Sequence, residues 1–506
     1  MKELLTNETR EISRRKFLIS SVAGSSALAI SIGDTLAAGK QVVNLLDEGS
    51  PLMIPPNFAP SIWFTMESNG ATTIHVLKAE IGQHIGTTFA QIVAEELELD
   101  WETVRVDYPE MNATTQDQYG IQLTGGSYST NEMFDRLARS AAVARGLLIE
   151  VGAELLGSDI QDCKARKGKV IDTVLNAEIS YSEILSETAI SHTVEEDDLA
   201  SIKLKSRQDY EIIGKSLASL DSPEKVNGSA RFGIDAYVPN MIYGKIIGPP
   251  VRMWATVKKI DDSEAKGIDG YIKTIPVNLP KQLGYLIESA AVVVASSFPA
   301  AMRAAQLVKV DWALPETPPV SSDDMTKHAR RLQQDSSSGL NFVLKGDIEK
   351  VAKSSQIEIS AEYHTEMVTH ATLEPASAVA QQVDGDWHIY AGLQAGNVMR
   401  YFVSLLAGVT PDKVIFHPHH VGGGFGGKVE FEAPVLAVLV AKALGKPVKI
   451  IFTREDDMFM SHPRSPTLQN LTAYLSADGA IEGLRHDVVS GWVGARFGEA
   501  FLSNSA

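Results

Sequence analysis

Cysteine is nearly absent: the 506 residues contain one, Cys163. That excludes an intrachain disulfide and any iron-sulfur cluster held by thiolates of this chain, because such clusters need several Cys ligands. Electrons from any redox chemistry here would therefore leave through another protein. Basic clusters are missing too. With 46 Lys and Arg against 63 Asp and Glu, the formal net charge is -17, and gripping a phosphate backbone needs grouped cations. Nucleic acid is excluded as a partner class. The sequence also lacks an apolar run of the roughly 20 residues that a membrane-spanning helix needs, so no transmembrane anchor is expected. What is present, 44% hydrophobic and 22% charged residues, is enough for about three or four packed domains.

The N-terminus carries the first specific signal. Ser13-Arg14-Arg15-Lys16-Phe17-Leu18 precedes an apolar run from Phe17 to Ile32, which Ser and Gly interrupt, and then small residues at Thr35-Leu36-Ala37-Ala38. This resembles a twin-arginine export signal, so a periplasmic protein is expected after removal of 1–38. That route carries folded proteins, which suits a chain loaded with a cofactor before crossing.

A Pro-rich linker at 39–60 follows. Residues 61–77 read as strand, Thr87–Leu99 as an amphipathic helix and Val104–Tyr108 as a second strand. The turn Thr124-Gly125-Gly126-Ser127-Tyr128-Ser129 opens into a long Ala-rich helix from about Asn131 to Leu156. Strand, glycine turn and helix in that order aim backbone N–H groups at an anion. Residues 158–210, with the run Glu195-Glu196-Asp197-Asp198, read as a charged irregular connector, and 315–340 as a polar linker. Between them short strands and one helix near Pro299–Leu307 suggest a separate mixed domain.

The strongest local motif is Val421-Gly422-Gly423-Gly424-Phe425-Gly426-Gly427-Lys428, followed by a helical run from about Phe431 to Leu444 and a strand at Val448–Phe452. Such a loop lets backbone approach a ligand and present amides to it. Gly422, Gly424 and Gly427 satisfy the dinucleotide fingerprint G-x-G-x-x-G, yet no acidic residue falls between Glu432 and Glu455, and Pro418 with three histidines occupies the expected strand. A P-loop reading fails at Val429, where Ser or Thr would hold magnesium. A purely structural glycine turn remains open at this point. His417, His419 and His420 lack the carboxylate or Cys partners of a metal site.

The glycine loop resembles that of the large subunits of xanthine oxidase-type molybdenum hydroxylases. His370-Ala371-Thr372-Leu373-Glu374-Pro375, Trp387-His388-Ile389-Tyr390 with Gln394, and Arg454-Glu455-Asp456-Asp457-Met458, like a strand end in the family, are similar to further family segments. Ile213-Gly214 through Met241-Ile242-Tyr243 resembles the start of the family's hammerhead domain. Glu80-Ile81-Gly82-Gln83 and Thr124–Ser129 look like two pterin-contacting segments, here placed before the hammerhead, an order similar to the isoquinoline oxidoreductase beta-subunit group. Val429 replaces an acid found in purine-oxidising members, and His84 a usual glycine.

The resemblance implies an α+β, multidomain chain. Its parts are a portion of the second molybdopterin-binding domain at 61–157, an α/β hammerhead at 211–314, and the first molybdopterin-binding domain, incomplete, at 341–506. It implies a molybdenum cofactor, as molybdopterin or its cytosine dinucleotide, held by Gln83, Thr124, Gly125, Gly126, Ser127, Ser129, Gln394, Gly423, Gly424, Phe425 and Gly426. It also implies a small 2Fe-2S partner subunit, cytochrome c as a further acceptor, and hydroxylation of an aldehyde or N-heterocycle with water, a glutamate acting as base. No residue here matches that glutamate. Gly498-Glu499-Ala500 lacks the proline of the family segment, so no catalytic or metal-ligating residue is assigned. The alternative is a cofactor-binding fragment without catalysis, and a nicotinamide-dependent dehydrogenase comes third.

Overall fold

The computed structural model describes the backbone of 28–32 and residues 63–491, except 68, 113–121, 189, 195–201, 253, 280–287, 317–319, 336–338, 340 and 342. The twin-arginine motif, the acidic run at 195–198 and Gly498–Ala500 lie outside the described residues. The chain divides into two compact units, each discontinuous in sequence. Among the described residues, one joins 28–32 and 63–241 with Ala376–Ile451; the other joins Ile242–Pro375 with 452–491.

In the first unit, β1 (Leu28–Ile32) runs parallel to a later strand, and β2 (Phe64–Met66) and β3 (Thr72–His75) form an antiparallel pair. The expected single strand over 61–77 is therefore two, broken where the Asn69 side chain accepts the Ala71 amide to close a turn. Helix α1 (Ile85–Leu97) leads to β4 (Val104–Asp107), which pairs in parallel with β3. Helix α2 (Ser129–Leu156) follows the glycine turn and ends at Gly157, whose φ of 68° suits the left-handed cap.

Phe89, Ile92, Val93 and Leu97 of α1 pack with Leu137, Ala141, Ala144 and Leu148 of α2 in one buried cluster. Burying each large side chain is worth about 1.5–3 kcal/mol.

The stretch expected as irregular connector carries regular elements between Cys163 and Val194. It forms β5 (Cys163–Arg166), β6 (Lys169–Asp172), β7 (Glu178–Ser180), helix α3 (Tyr181–Glu187) and β8 (Ile190–Val194), the partner of β1. Gly152 of α2 is required here: a Cβ would stand 2.7 Å from Cγ2 of Val170 on β6. Residues 202–213 then run along α1, held by its buried carboxylates. Glu95 accepts the amides of Glu211, Ile212 and Ile213 and pairs with Lys205 at 2.5 Å, while Glu96 pairs with Arg145 at 3.2 Å.

The second unit opens with β9 (Ile242–Ile247), β10 (Thr256–Asp261), β11 (Tyr271–Asn278) and β12 (Ser289–Ala295). Helix α4 (Phe298–Ala305) and β13 (Lys309–Ala313) follow, with β12 buried between β9 and β11. The expected linker 315–340 contains helix α5 (Ser322–Gln334), which sets Met325, Ala329 and Leu332 on one half-buried face and starts on a capping box between Ser321 and Asp324. Helix α6 (Ile348–Ser354) and β14 (Ile357–Thr365) complete this part.

The chain returns to the first unit as β15 (Ser377–Val383), β16 (Asp386–Ala391), helix α7 (Gly396–Ala407), β17 (Val414–Pro418), helix α8 (Glu432–Leu444) and β18 (Val448–Ile451). Sheet order is β18-β15-β16-β17, with β16 and β17 parallel. Pro418 therefore does not exclude a strand. It occupies the last position of β17, where a missing donor costs least. The second unit closes with α9 (Arg454–Met460), β19 (Thr467–Leu475) and β20 (Ile481–Ser490), the last two joined to β14 in one antiparallel sheet. The segment expected as a strand end at Arg454–Met458 is thus a helix, because Thr453 and Asp456 cap each other.

Candidate cofactor site

Parallel strands β16 and β17 end side by side, so the segments leaving them emerge together. From β16 comes Gln394; from β17 comes the glycine loop. Gln394 is buried, 3% exposed. Its Nε2 donates to the Thr124 carbonyl at 2.7 Å, and its Oε1 accepts the Gly426 amide at 3.1 Å. The Thr124 amide donates to the Gln394 carbonyl at 2.8 Å, and the Gln394 amide to that of Lys428 at 2.8 Å. One amide side chain thus joins the two glycine segments, which lie 300 residues apart in sequence from Thr124 to Gly424.

Glycine is dictated here by space. A Cβ on Gly424 would fall 2.4 Å from Gln394 Oε1. The loop also turns through left-handed residues: Gly423 at φ 93°, Phe425 at 54° and Gly426 at 99°. Phe425 is 63% exposed on it, as a residue placed to meet a ligand would be.

Gly126 and Ser127 are left-handed in succession, at φ 61° and 55°, directly before α2. Consecutive amides in this conformation at a helix start form an anion-binding concavity. Among the described residues none accepts the amides of Gly125, Gly126 or Ser127, nor the hydroxyls of Ser127 and Ser129. Thr124 is committed inward instead, its Oγ1 accepting the Ala79 amide at 2.7 Å. Buried Lys78 steadies the turn by donating to the Leu123 carbonyl and to Glu132.

The segment Glu80–His84 reaches the same place through its backbone, since the Val421 amide donates to the Glu80 carbonyl at 3.1 Å. Gln83 itself is exposed and folded back, accepting from the Ile81 amide and donating to the Ala79 carbonyl. The more deeply engaged residue is Glu80, whose buried carboxylate accepts the amides of Gly82, His84 and Ile85 and so caps α1. The resemblance named Glu80 within its segment but assigned the contact to Gln83; an acid two residues before a glycine and five before a helix start was the available signal.

Hydrogen bonds join Thr124, Gln394 and Gly426, but Gln83, Thr124–Ser129, Gln394 and Gly423–Gly426, expected to surround one cavity, do not line the cavity beside them. That cavity, about 520 Å³, is walled by their neighbours Ala79, Glu80, Leu393 and His420, with Tyr108 and Asp221. Burial, and then the charges of Glu80, Asp221 and Glu224, push the Tyr108 hydroxyl far up. It makes no hydrogen bond of ordinary geometry, although the Glu80 carboxylate lies within acceptor reach. Burial, and then repulsion from Lys225, lowers the His420 pKa. Asp221 is held below the usual carboxylate range: burial opposes that, but Lys225 and Ser219 outweigh it. His370–Pro375 and Arg454–Met458 belong to the second unit, where Arg454 donates to the Leu373 carbonyl at 3.0 Å. Among the described residues no group of three or more His, Cys, Asp or Glu side chains is arranged to hold a metal, and no helix is long and apolar enough to cross a membrane.

Comparison with known proteins agrees with this geometry. Two family models, each described as a molybdopterin cofactor-binding domain, match residues 32–234 and 333–505. The chain is 33% identical over 500 residues to the membrane-bound aldehyde dehydrogenase [pyrroloquinoline-quinone] of Gluconacetobacter polyoxogenes, covering 98% of this chain and 62% of that protein. It is 29% identical over 540 residues to isoquinoline 1-oxidoreductase subunit beta of Brevundimonas diminuta, covering 98% and 66%. It therefore spans less than two thirds of the length of either relative. With both cofactor-binding domains matched and their glycine segments joined at Gln394, the chain belongs to the molybdopterin-binding large subunits of the xanthine oxidase family of molybdenum hydroxylases.

Proposed function

We propose that this chain serves a molybdenum hydroxylase that oxidises an aldehyde or an N-heterocyclic aromatic, water supplying the inserted oxygen. The observation that carries the reading is the Gln394 clamp, which sets two glycine-rich backbones beside each other with amides left over. The amides of Gly125–Ser127 and the hydroxyls of Ser127 and Ser129 are assigned to the phosphate of the pterin tail, as helix starts and nests favour an anion. That tail is assigned as a cytosine dinucleotide. Gly423–Gly426 and Gln394 are assigned to the pterin and metal end, where glycine admits close approach.

When bound, the cofactor supplies the two-electron redox centre for adding oxygen to carbon, while the protein binds and orients it. The balance is a substrate C–H and one water giving C–OH, two protons and two electrons. Lacking a thiolate set, the chain hands those electrons to a 2Fe-2S subunit and onward to a cytochrome c. The names of the two relatives, one an aldehyde dehydrogenase and one an isoquinoline oxidoreductase, support the substrate classes. Export by the twin-arginine route places this chemistry in the periplasm.

A second reading is a cofactor-binding protein without turnover of its own. The test is metal and pterin analysis of the full chain made in a host that synthesises the cofactor. The expected result is molybdenum and pterin in near-equal amounts; a folded chain carrying neither would sink the reading. A quinone in place of molybdenum would favour the cofactor for which the Gluconacetobacter relative is named. Turnover of an aldehyde by the chain alone would overturn the second reading and place the base within it.

A further inference from the structure

The two strands that deliver Gln394 and the glycine loop are linked on one face by a chain of titratable side chains that the cofactor reading leaves unused. His417 of β17 places Nδ1 2.7 Å from Glu110 Oε1 and Nε2 2.9 Å from Nδ1 of His388 on β16. Tyr390 stacks on the His417 ring at 4.2 Å and 8°. Glu110 is itself half exposed, yet its position is set from behind. Met111 and Phe416 exchange both backbone hydrogen bonds at 2.8 Å, and buried Arg400 donates to the carbonyls of Asn112, Val414 and Pro411.

We propose that Glu110, His417 and His388 are positioning residues for the cofactor site: a proton-linked clamp across β16 and β17 that tolerates one added proton and opens on the second. It rests on the cofactor reading only for what the strand ends present. A carboxylate at Nδ1 requires a proton there, so neutral His417 bares its Nε2 lone pair and accepts from the Nδ1–H of His388. With one added proton the shared hydrogen passes from His388 Nδ1 to His417 Nε2 while the incoming proton rests on His388 Nε2, so the inner bond survives with its direction reversed, His388 Nδ1 now accepting. A second proton sets N–H against N–H, and the inner bond is lost between two like charges.

The groups facing His417 are Glu110, which favours its charge, and His388 and His419, which oppose it. Tyr390 faces it as a neutral ring. At the far end of the strands Lys413 and Asp386 pair at 2.9 Å. The opposite face of the strands is closed by Trp387, Ile389, Val414 and Phe416, all 2% exposed or less. Opening the clamp would therefore act at the strand ends, on the hydrogen bonds at Thr124 and Gly426.

The experiment uses the full chain free of cofactor, labelled with ring-15N histidine, together with hydrogen exchange of the Thr124 and Gly426 amides between pH 7.5 and 5. The expected result is His417 protonated on Nδ1 at pH 7.5. Protection of the two amides should fall about tenfold across a step as pH drops, the size of one unit of differential protonation. His388→Phe should lower protection at every pH and abolish the step. Glu110→Gln, which keeps the shape and removes the charge, should move the step to lower pH. A His417 protonated on Nε2 alone, or the same pH profile in the wild type and both variants, would overturn the proposal. Failure to load molybdenum would count against the cofactor reading and leave this result standing.

Discussion

Among single residues, Gln394 and Gly424 carry the site between them, and their fit gives a direct test. Replacing Gly424 with Ala puts a methyl 2.4 Å from Gln394 Oε1, an overpacking that costs about 1–3 kcal/mol. The expected outcome is loss of bound pterin, read by its fluorescence, with the circular dichroism spectrum unchanged. The histidines near the loop give a pH dependence. Burial holds both His417 and His420 below the ordinary 6.5, so the unfolded chain takes up protons first on acidification. Stability present above pH 6.5 is then lost as pH falls below it. Thermal melts at pH 7.5 and 5.5 should show a fall that His420→Gln makes shallower. Cys163 behaves oppositely to a reactive thiol. Burial first, and then the Asp172 charge, raises its pKa, so iodoacetamide should label the folded chain more slowly than the unfolded one at neutral pH.

Helix α1 illustrates how an element acquires a second task. Its apolar period was readable, and the helix expected over Thr87–Leu99 is found at Ile85–Leu97. What periodicity could not reveal is that Glu95 and Glu96 are buried, each 1% exposed, to anchor residues some 110 positions later. Burial raises the Glu95 pKa, but Lys205 and the three amides outweigh it, leaving it lowered. Removing one member of such a buried pair strands the other, so Glu95→Ala should cost about 3 kcal/mol. A lower urea midpoint with an unchanged m-value would bear this out; an unshifted midpoint would not. The sheet and helix at 163–187 escaped sequence reading for a related reason. Strands of three or four residues with charged outer positions carry too little alternation to recognise. Helix α5 escaped because its apolar stripe is only Met325, Ala329 and Leu332 in an otherwise polar segment, and none of the three is fully buried.

For the molecule as a whole, the sheet of the second unit has two unlike faces. Register sets Ile359 beside Ala473 and Leu484, and Tyr363 beside Gln469 and Val488. Ile359, Tyr363, Leu484 and Val488 are each more than half exposed, and contiguous apolar surface on a sheet invites association. Ile359→Lys with Leu484→Lys should raise the monomer fraction in light scattering while shifting stability by only about 0.5 kcal/mol. Export is tested on the whole precursor: Arg14→Lys with Arg15→Lys should hold it in the cytoplasm, and normal periplasmic fractionation would refute the signal. The sequence by itself determined the elements with strong period or punctuation, α1, α2, α8 and the two glycine turns, because helix spacing and glycine conformations are local properties. It also determined that these residues, with Cys163 alone, hold no thiolate set for an iron-sulfur cluster. Only the tertiary structure decided that Gln394 joins Thr124 to Gly426 and that His417 meets His388 and Glu110. Each of these depends on parallel strand pairing between distant segments, and register between strands is set by packing that no local window of sequence contains.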